Sequence, residues 1–173
     1  MKTRSSRDTV YQLSGTKWIP YLYLDMGKYQ MPIEYEAWYS EDAYNKNAIN
    51  YWNIPRLEED DRYFFFTAVR HKYIQKGENE NDCKFIIYDK KAKEGFVVKD
   101  ENGMKITDDI LGGPNFWPRW STDNFYITTM EWSDLEQWTK EEKHILSPTL
   151  QEQFETWGED TNQLIVLCKK NNI

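Results

Sequence analysis

The sequence predicts a mainly β fold made of antiparallel, four-stranded propeller-type blades with short inserted helices. The first observation is a meander of three apolar runs, rich in aromatic and β-branched residues, at Arg62–Val69, Phe85–Tyr88 and Gly95–Val98. Polar turn residues separate these runs, as expected for antiparallel strands. The second observation is an aromatic content of 16%, which indicates that rings fill much of the interior.

The third observation is that part of this meander recurs later in the chain. Asp61–Thr67 resembles Asp123–Thr129, and Phe85–Lys91 resembles Leu164–Lys170, with 17 additional residues between the two strands of the later copy. A partial third copy stands near the start, at Thr9–Leu13. Strands repeated in a fixed order are typical of propeller blades. Chance similarity between aromatic-rich strands is the alternative explanation.

The remaining elements follow from local signals. Residues 8–24 predict a strand pair, and apolar side chains on both faces of its second strand predict a sheet covered on both sides. Residues 40–52 predict a helix that begins at a serine cap. Residues 133–158 predict two short inserted helices, capped by Ser133 and Ser147.

The predicted domain organisation is a disordered lead over residues 1–7 and one partial propeller domain over residues 8–173. The strand count is about nine, or two to two and a half blades, whereas a closed propeller needs at least about four. We therefore expect a fragment of a longer protein, or a truncated gene product, with an apolar blade face left uncovered. Such a face predicts self-association of the chain.

Composition argues against several classes of protein. The net charge of −7 and the isoelectric point near 5.0 disfavour nucleic-acid binding, which needs clustered Lys and Arg. No apolar run approaches the length of a transmembrane helix. The basic N-terminus lacks the apolar segment of a secretory signal. Cys83 and Cys168 lie in or beside corresponding strands of the two copies and are predicted to be free thiols.

The candidate binding residues lie in the stretch Thr107–Trp120, which combines a Gly-Gly pair with three large rings. Glycine permits backbone angles and close approaches that other residues resist. Aromatic rings offer flat apolar surfaces, and arginine stacks on rings or pairs with carboxylates. The alternative is a crossover segment whose rings pack into the core. The predicted binding set is Asp108, Asp109, Trp117, Arg119 and Trp120.

Catalytic and metal-binding signatures are sparse. The sequence has no P-loop, no Gly-rich dinucleotide loop and no G-x-S-x-G elbow, and its two histidines lack metal-ligand spacing. The acidic run Glu58–Asp61 predicts a solvated turn, and Asn102–Gly103 predicts a tight hairpin turn. No metal or cofactor is therefore predicted. Paired carboxylates for glycoside hydrolysis stay open, because their spacing is a property of the fold.

Five segments carry a resemblance to a known family: Tyr11–Gly15, Tyr23–Tyr29, Phe85–Lys90, Asp108–Gly113 and Phe116–Pro118. Together they resemble the C-terminal part of six-bladed β-propeller proteins, in the NHL- and TolB-like group of bacterial envelope proteins. The resemblance covers nearly the whole chain, implies a periplasmic or outer-membrane location, and carries over no catalytic residues. Family members often have an Asn-Asp pair and an acidic residue before the two glycines, whereas Asp108 and Leu111 stand here.

Three functions from different classes remain open. The sequence favours a non-enzymatic module of the cell envelope that binds a protein or a glycan. The alternatives are a structural remnant without a ligand of its own and a carbohydrate-active hydrolase or lyase. An exposed aromatic patch around Trp117 and Trp120 favours glycan binding, whereas burial of both rings favours the remnant.

Overall fold

The computed structural model describes residues 8–36, 40–70, 82–99, 105–108, 110–140, 145–158 and 163–170. These residues form two compact units. The first contains the described residues up to Leu57 together with Tyr63–Val97, and the second contains Glu58–Arg62 together with the described residues from Val98 onward. The predicted lead over residues 1–7 and the predicted turn at Asn102–Gly103 lie outside the described residues. The predicted single domain stays a prediction.

The described residues contain nine strands and three α-helices, all short. The strands are β1 (Thr9–Ser14), β2 (Lys17–Tyr23), β3 (Asn53–Glu59), β4 (Tyr63–Arg70), β5 (Asp82–Asp89), β6 (Glu94–Val97), β7 (Trp120–Ser121), β8 (Phe125–Met130) and β9 (Leu164–Lys169). The helices are α1 (Glu41–Asn47), α2 (Trp132–Thr139) and α3 (Pro148–Thr156). The predicted mainly β fold with antiparallel sheets is confirmed. None of these described helices has the length and apolar character that crossing a bilayer requires.

The predicted meander is confirmed as β4, β5 and β6, which form one sheet in the order β3–β4–β5–β6. Alternate residues of β4, namely Phe64, Phe66 and Ala68, are buried and form a core with Ile54 of β3. The rings of Phe64 and Phe66 lie 5.8 Å apart, and the ring of Tyr88 lies 6.3 Å from that of Phe64. Rings at these distances attract each other in addition to burying apolar area. Aromatic packing therefore stabilises the first unit.

The hairpin β1–β2 confirms the predicted strand pair, and its tight turn contains Gly15 at φ +60°. The expectation that this sheet is covered on both sides is wrong. Trp18 and Ile19 are neighbours in β2 and project to opposite faces, yet each is 49% exposed. The apolar pattern of β2 therefore lies on exposed surface at both faces.

The second unit is a three-stranded sheet, in the order β7–β8–β9, with α2 and α3 on one face. Its buried core consists of Met130, Leu135, Leu146 and Leu150. Leu135 is 0% exposed, and burial of each such side chain contributes about 1.5–3 kcal/mol. This burial holds the two helices on the sheet. The half-buried residues that pack against the core are Leu111, Trp138, Phe154, Trp157, Leu164 and Val166.

Two of the three predicted helix caps are confirmed. The hydroxyl oxygens of Ser40 and Ser147 accept hydrogen bonds from the backbone N–H groups three residues further on, at 3.2 and 3.3 Å. The predicted cap at Ser133 is wrong, because α2 begins two residues earlier, with Glu131 as its cap. The backbone N–H of Glu131 donates to the Asp134 carboxylate at 2.9 Å. A carboxylate is favourable there because it also interacts with the positive end of the helix dipole.

Strand register separates the two sequence copies. In the first copy Phe64 pairs with Tyr88, and the repeat places Tyr126 and Leu167 at the equivalent positions. Tyr126 pairs instead with Cys168, so β9 is displaced by one residue relative to the repeat. Because side chains of a strand alternate between faces, this displacement moves every β9 side chain to the opposite face.

The predicted partial propeller is corrected by these sheets. A propeller blade has four strands, whereas the sheets of the described residues have two, four and three strands and none of them is closed. The one-residue displacement of β9 further prevents the β7–β8–β9 sheet from repeating the β3–β4–β5–β6 sheet. The described sheets therefore show no propeller arrangement. The predicted count of two to two and a half blades is wrong for the same reason.

The first unit should depend on its buried aromatic ladder. Phe64→Ala is expected to lower the free energy of unfolding by about 3–5 kcal/mol, because it deletes a buried ring and leaves a cavity. Phe96→Ala is the matched control, since Phe96 on β6 is 51% exposed and its loss should cost less than about 1.5 kcal/mol. Urea unfolding followed by fluorescence measures both values. Equal losses in the two variants would contradict the assignment of Phe64 to the core.

Candidate interaction surface

The Gly-Gly loop that precedes β7 is held by an aspartate. One carboxylate oxygen of Asp108 accepts hydrogen bonds from the backbone N–H groups of Ile110 and Leu111, at 3.2 and 2.9 Å. Its other oxygen accepts a hydrogen bond from Gly113 N at 3.2 Å. Aspartate side chains commonly stabilise turns by bonding nearby backbone groups. Asp108 therefore organises the loop from within.

The same loop is fixed to the helical segments that follow β8. The carbonyl oxygen of Gly112 accepts a hydrogen bond from Trp138 Nε1 at 2.9 Å, and Leu111 O accepts one from Ser147 N at 2.7 Å. Gly112 has φ +71°, and a Cβ atom there would lie 2.2 Å from the carbonyl oxygen of Ile145. Only glycine fits this position without displacing backbone.

The structure describes four of the five predicted binding residues, and these four differ in exposure. Trp117 is buried, at 5% exposure, and Asp108 is engaged with its own loop. Asp109 lies outside the described residues. Arg119 is exposed, and its backbone N–H donates to the carbonyl oxygen of Ile127 at 2.8 Å. Trp120, in β7, is 51% exposed, so Trp120 and Arg119 are the members that reach solvent.

Trp120 belongs to an apolar surface that the helices leave uncovered. It pairs with Ile127 of β8, which pairs with Leu167 of β9, so the three side chains form a row across one face. Ile165 lies on the same face, opposite Thr129. Ile165 and Leu167 are 65% and 56% exposed. The open face, as we name this surface, consists of Trp120, Phe125, Ile127, Thr129, Ile165, Leu167 and Lys169.

A buried charge cluster lies at the opposite face of the same sheet. Lys170 Nζ is 3.1 Å from a carboxylate oxygen of Asp60, and the two side chains are only 14% and 8% exposed. The hydroxyl of Tyr126 donates to the same oxygen at 2.5 Å, and the ammonium lies 4.5 Å from the Tyr126 ring centre. The expected solvated turn is therefore wrong at Asp60. Glu58 of the same acidic run accepts from Ser121 N at 3.0 Å.

The free thiols predicted for Cys83 and Cys168 are confirmed. Burial raises the pKa of the Cys168 thiol, and the negative charge of Asp108 raises it further. A thiol with a raised pKa stays protonated near neutral pH and is a poor nucleophile. Cys168 therefore has the character of a small, half-buried apolar residue.

The described residues offer little catalytic geometry. No group of three or more His, Cys, Asp or Glu side chains stands close enough to hold a metal ion within the described ranges. In the acidic run, the carboxylates of Glu58 and Asp60 contact Ser121 and Lys170 respectively. These contacts hold Glu58 and Asp60 against the β7–β8–β9 sheet within the second unit, which is a structural role.

Comparison with known proteins identifies a family. The family model described as a domain of unknown function, DUF4934, matches residues 3–169. This chain belongs to the DUF4934 family. No curated protein matches the chain.

One solved structure shares the fold of this DUF4934 chain. It is the crystal structure, at 2.60 Å resolution, of a provisionally named exported protein from Bacteroides fragilis, with 13% sequence identity and a TM-score of 0.58. The match covers 98% of this chain and 46% of that protein, so this chain spans less than half of its length. An identity of 13% extends the likeness to the fold alone.

These findings correct the family expected from the sequence. The resemblance to six-bladed propellers of the NHL- and TolB-like group is wrong, because the matching family is DUF4934 and the described sheets show no propeller blades. The segments that carried the resemblance are strands and turns. Asp89, for example, bonds the backbone N–H groups of Lys91 and Ala92 within its own turn, a role that any β-hairpin uses.

Sequence reasoning missed the exposed residues of β9. The strand itself was predicted, but nothing in the run Leu164–Cys168 says which side chains are buried, because every residue in it is apolar or a cysteine. Faces are assigned from alternation of polar and apolar residues. The apolar run itself was an available signal. A strand that is apolar on both sides needs cover on both faces, so a face that the helices leave open is a candidate for contact with a partner.

The loop geometry predicts the effect of a single added methyl group. Gly112→Ala should lower the free energy of unfolding by about 2–5 kcal/mol. Alanine disfavours the left-handed backbone angle at this position, and its Cβ atom would collide with Ile145 O. Gly15→Ala is the control, because Gly15 shares the left-handed angle but has no atom within 4 Å of the added Cβ. It should lose only about 1–2 kcal/mol. The difference, measured by urea unfolding, isolates the collision, and equal losses would refute it.

The buried ion pair predicts a second stability effect. Asp60→Asn should lower the free energy of unfolding by about 3 kcal/mol, because it leaves the Lys170 ammonium buried without a counter-charge. Asp61→Asn changes an exposed neighbour and should stay within about 0.5 kcal/mol of the unchanged protein. Chemical unfolding at pH 7 compares the two variants. Similar values for both would show that the Asp60–Lys170 contact contributes nothing to stability.

Proposed function

We propose that the chain is a non-catalytic binding module whose open face contacts another protein. The observation that supports this is the row of Trp120, Ile127 and Leu167 across β7, β8 and β9, with two of the three side chains more than half exposed. Isolated surface apolar residues are ordinary, whereas contiguous apolar surface marks a binding site. Tryptophan is also enriched among the residues that dominate binding energy.

The chemistry of the open face favours a protein over a glycan. Sugar recognition combines ring stacking with polar groups that bond the hydroxyls, as small-ligand sites do in general. The residues in line with Trp120 across the open face are Ile127 and Leu167, which offer no such groups, and the polar members Thr129 and Lys169 lie outside this row. Burial of Trp117 also removes the second ring on which the glycan hypothesis depended. An apolar side chain from a protein partner fits this surface.

We further propose an envelope location, in the periplasm or at the outer-membrane surface. Support comes from the fold neighbour, a provisionally named exported protein. The open face would then bind another protein of the envelope.

Site-specific photo-crosslinking tests the binding proposal. Benzoylphenylalanine replaces Trp120 in the full chain, produced in the organism that encodes it, and replaces Gln153 on the exposed side of α3 as a matched control. We expect a covalent adduct to a different protein from position 120 and none from position 153. Once that partner is purified, Trp120→Ala should weaken its binding by about tenfold or more, the typical loss at a dominant contact.

Three outcomes would contradict the proposal. They are equal adducts from both positions, adducts only to a second copy of this chain, and no protein adduct from position 120. A glycan that binds the purified chain and loses affinity in Trp120→Ala would assign the open face to carbohydrate instead.

A further inference from the structure

Among the strands that the structure describes, none pairs with the outer edge of β9. Within the described ranges, β9 pairs with β8 on one side and stands at the end of the sheet order β7–β8–β9. An edge strand presents unpaired backbone N–H and C=O groups that can accept a further strand. Ile165 and Leu167, whose side chains project from the open face of this edge strand, are 65% and 56% exposed.

The β9 strand also lacks the features that usually protect an edge. It is six residues long with the sequence Leu-Ile-Val-Leu-Cys-Lys, and it contains no proline and no glycine. Its pairing with β8 runs without a bulge. Its only charged residue, Lys169, stands at its last position. Natural edges are usually interrupted by proline, a bulge or a central charge.

We propose that β9 pairs antiparallel with β9 of a second copy of this chain, about a two-fold axis at Val166. In this register Ile165 of each copy lies opposite Leu167 of the other, and the two Val166 residues face each other. Directly opposed residues of a strand pair share a face. The two open faces therefore join into one apolar surface on the same side of a continuous sheet.

Charge selects this register over the next symmetric one. Lys169 lies opposite Gln163 when the axis is at Val166, whereas an axis at Leu167 places Lys169 opposite Ile165. The two Lys169 side chains of the pair stand at opposite ends, roughly 20 Å apart along the strands. That separation exceeds the Debye length of about 8 Å at physiological ionic strength. No acidic residue lies in β9, so the net charge of −7 is carried elsewhere in the chain.

A second copy suits this edge better than an unrelated peptide. Self-pairing places the apolar Ile165 opposite the apolar Leu167, and the two-fold axis forms this contact twice. The pairing leaves Trp120 uncovered, because β7 stands at the other end of the sheet. The proposal is therefore independent of the protein that the open face binds.

The test is the mass of the full 173-residue chain in solution, with two matched double variants. Light scattering over a concentration series should give about twice the monomer mass of 20.9 kDa. Ile165→Lys with Leu167→Lys places two positive charges opposite each other at both contacts and should give the monomer. Ile165→Lys with Leu167→Glu places opposite charges at the same contacts and should restore the dimer.

Three controls and three contradicting outcomes complete the test. Trp120→Ala should remain dimeric even where it abolishes partner binding, which separates this proposal from the proposed function. Circular dichroism is used to check that both double variants are folded. Amide hydrogen exchange of β9 in the unchanged protein should slow as the concentration rises, which gives a readout without any substitution. A monomer at every concentration, the same mass for both double variants, or concentration-independent exchange would each overturn the proposal.

Discussion

The second unit depends on one constraint, namely that α2 and α3 cover a single face of the β7–β8–β9 sheet. Leu135 and Leu150 fill the space between helices and sheet, at 0% and 3% exposure. Burial on that side determines which β9 residues point inward, and the alternation of a strand then sends the remaining residues outward. Ile165 and Leu167 are exposed as a consequence. The interaction surface and the core are two results of the same packing.

Most of the secondary structure could be predicted from local patterns, whereas the arrangement of the strands could not. The run of β4 is rich in aromatic residues and follows a polar turn, and such a run predicts a strand directly. The register of β9 has no comparable signal. Its residues are apolar at nearly every position, so either face fits the helices almost equally well by polarity alone. The predicted repeat of the first sheet in the second is wrong because β9 is displaced by one residue relative to the sequence repeat.

The candidate site could be predicted only in part, for a similar reason. The Gly-Gly loop was recognised as unusual, and the positive φ of Gly112 and the bonds to Asp108 give its physical cause. Trp117 and Trp120 have the same chemistry and lie three residues apart, yet one is buried and the other is half exposed. Tertiary packing decides that difference, and no pattern within the loop records it. Short-range turn chemistry is readable from sequence, whereas exposure of a ring is not.

The ion pair at the end of β9 supplies the missing information about register. Lys170 lies on the covered side with Tyr126, its ammonium bonds Asp60, and its backbone N–H donates to Asn124 O at 2.8 Å. A shift of β9 by one residue would move Lys170 about 3.4 Å along the strand and turn its side chain to the open face. The buried Asp60 carboxylate would then lose its contact with the Lys170 ammonium, which is strongly unfavourable. The apolar residues of β9 tolerate either register, and this one buried charge selects between them.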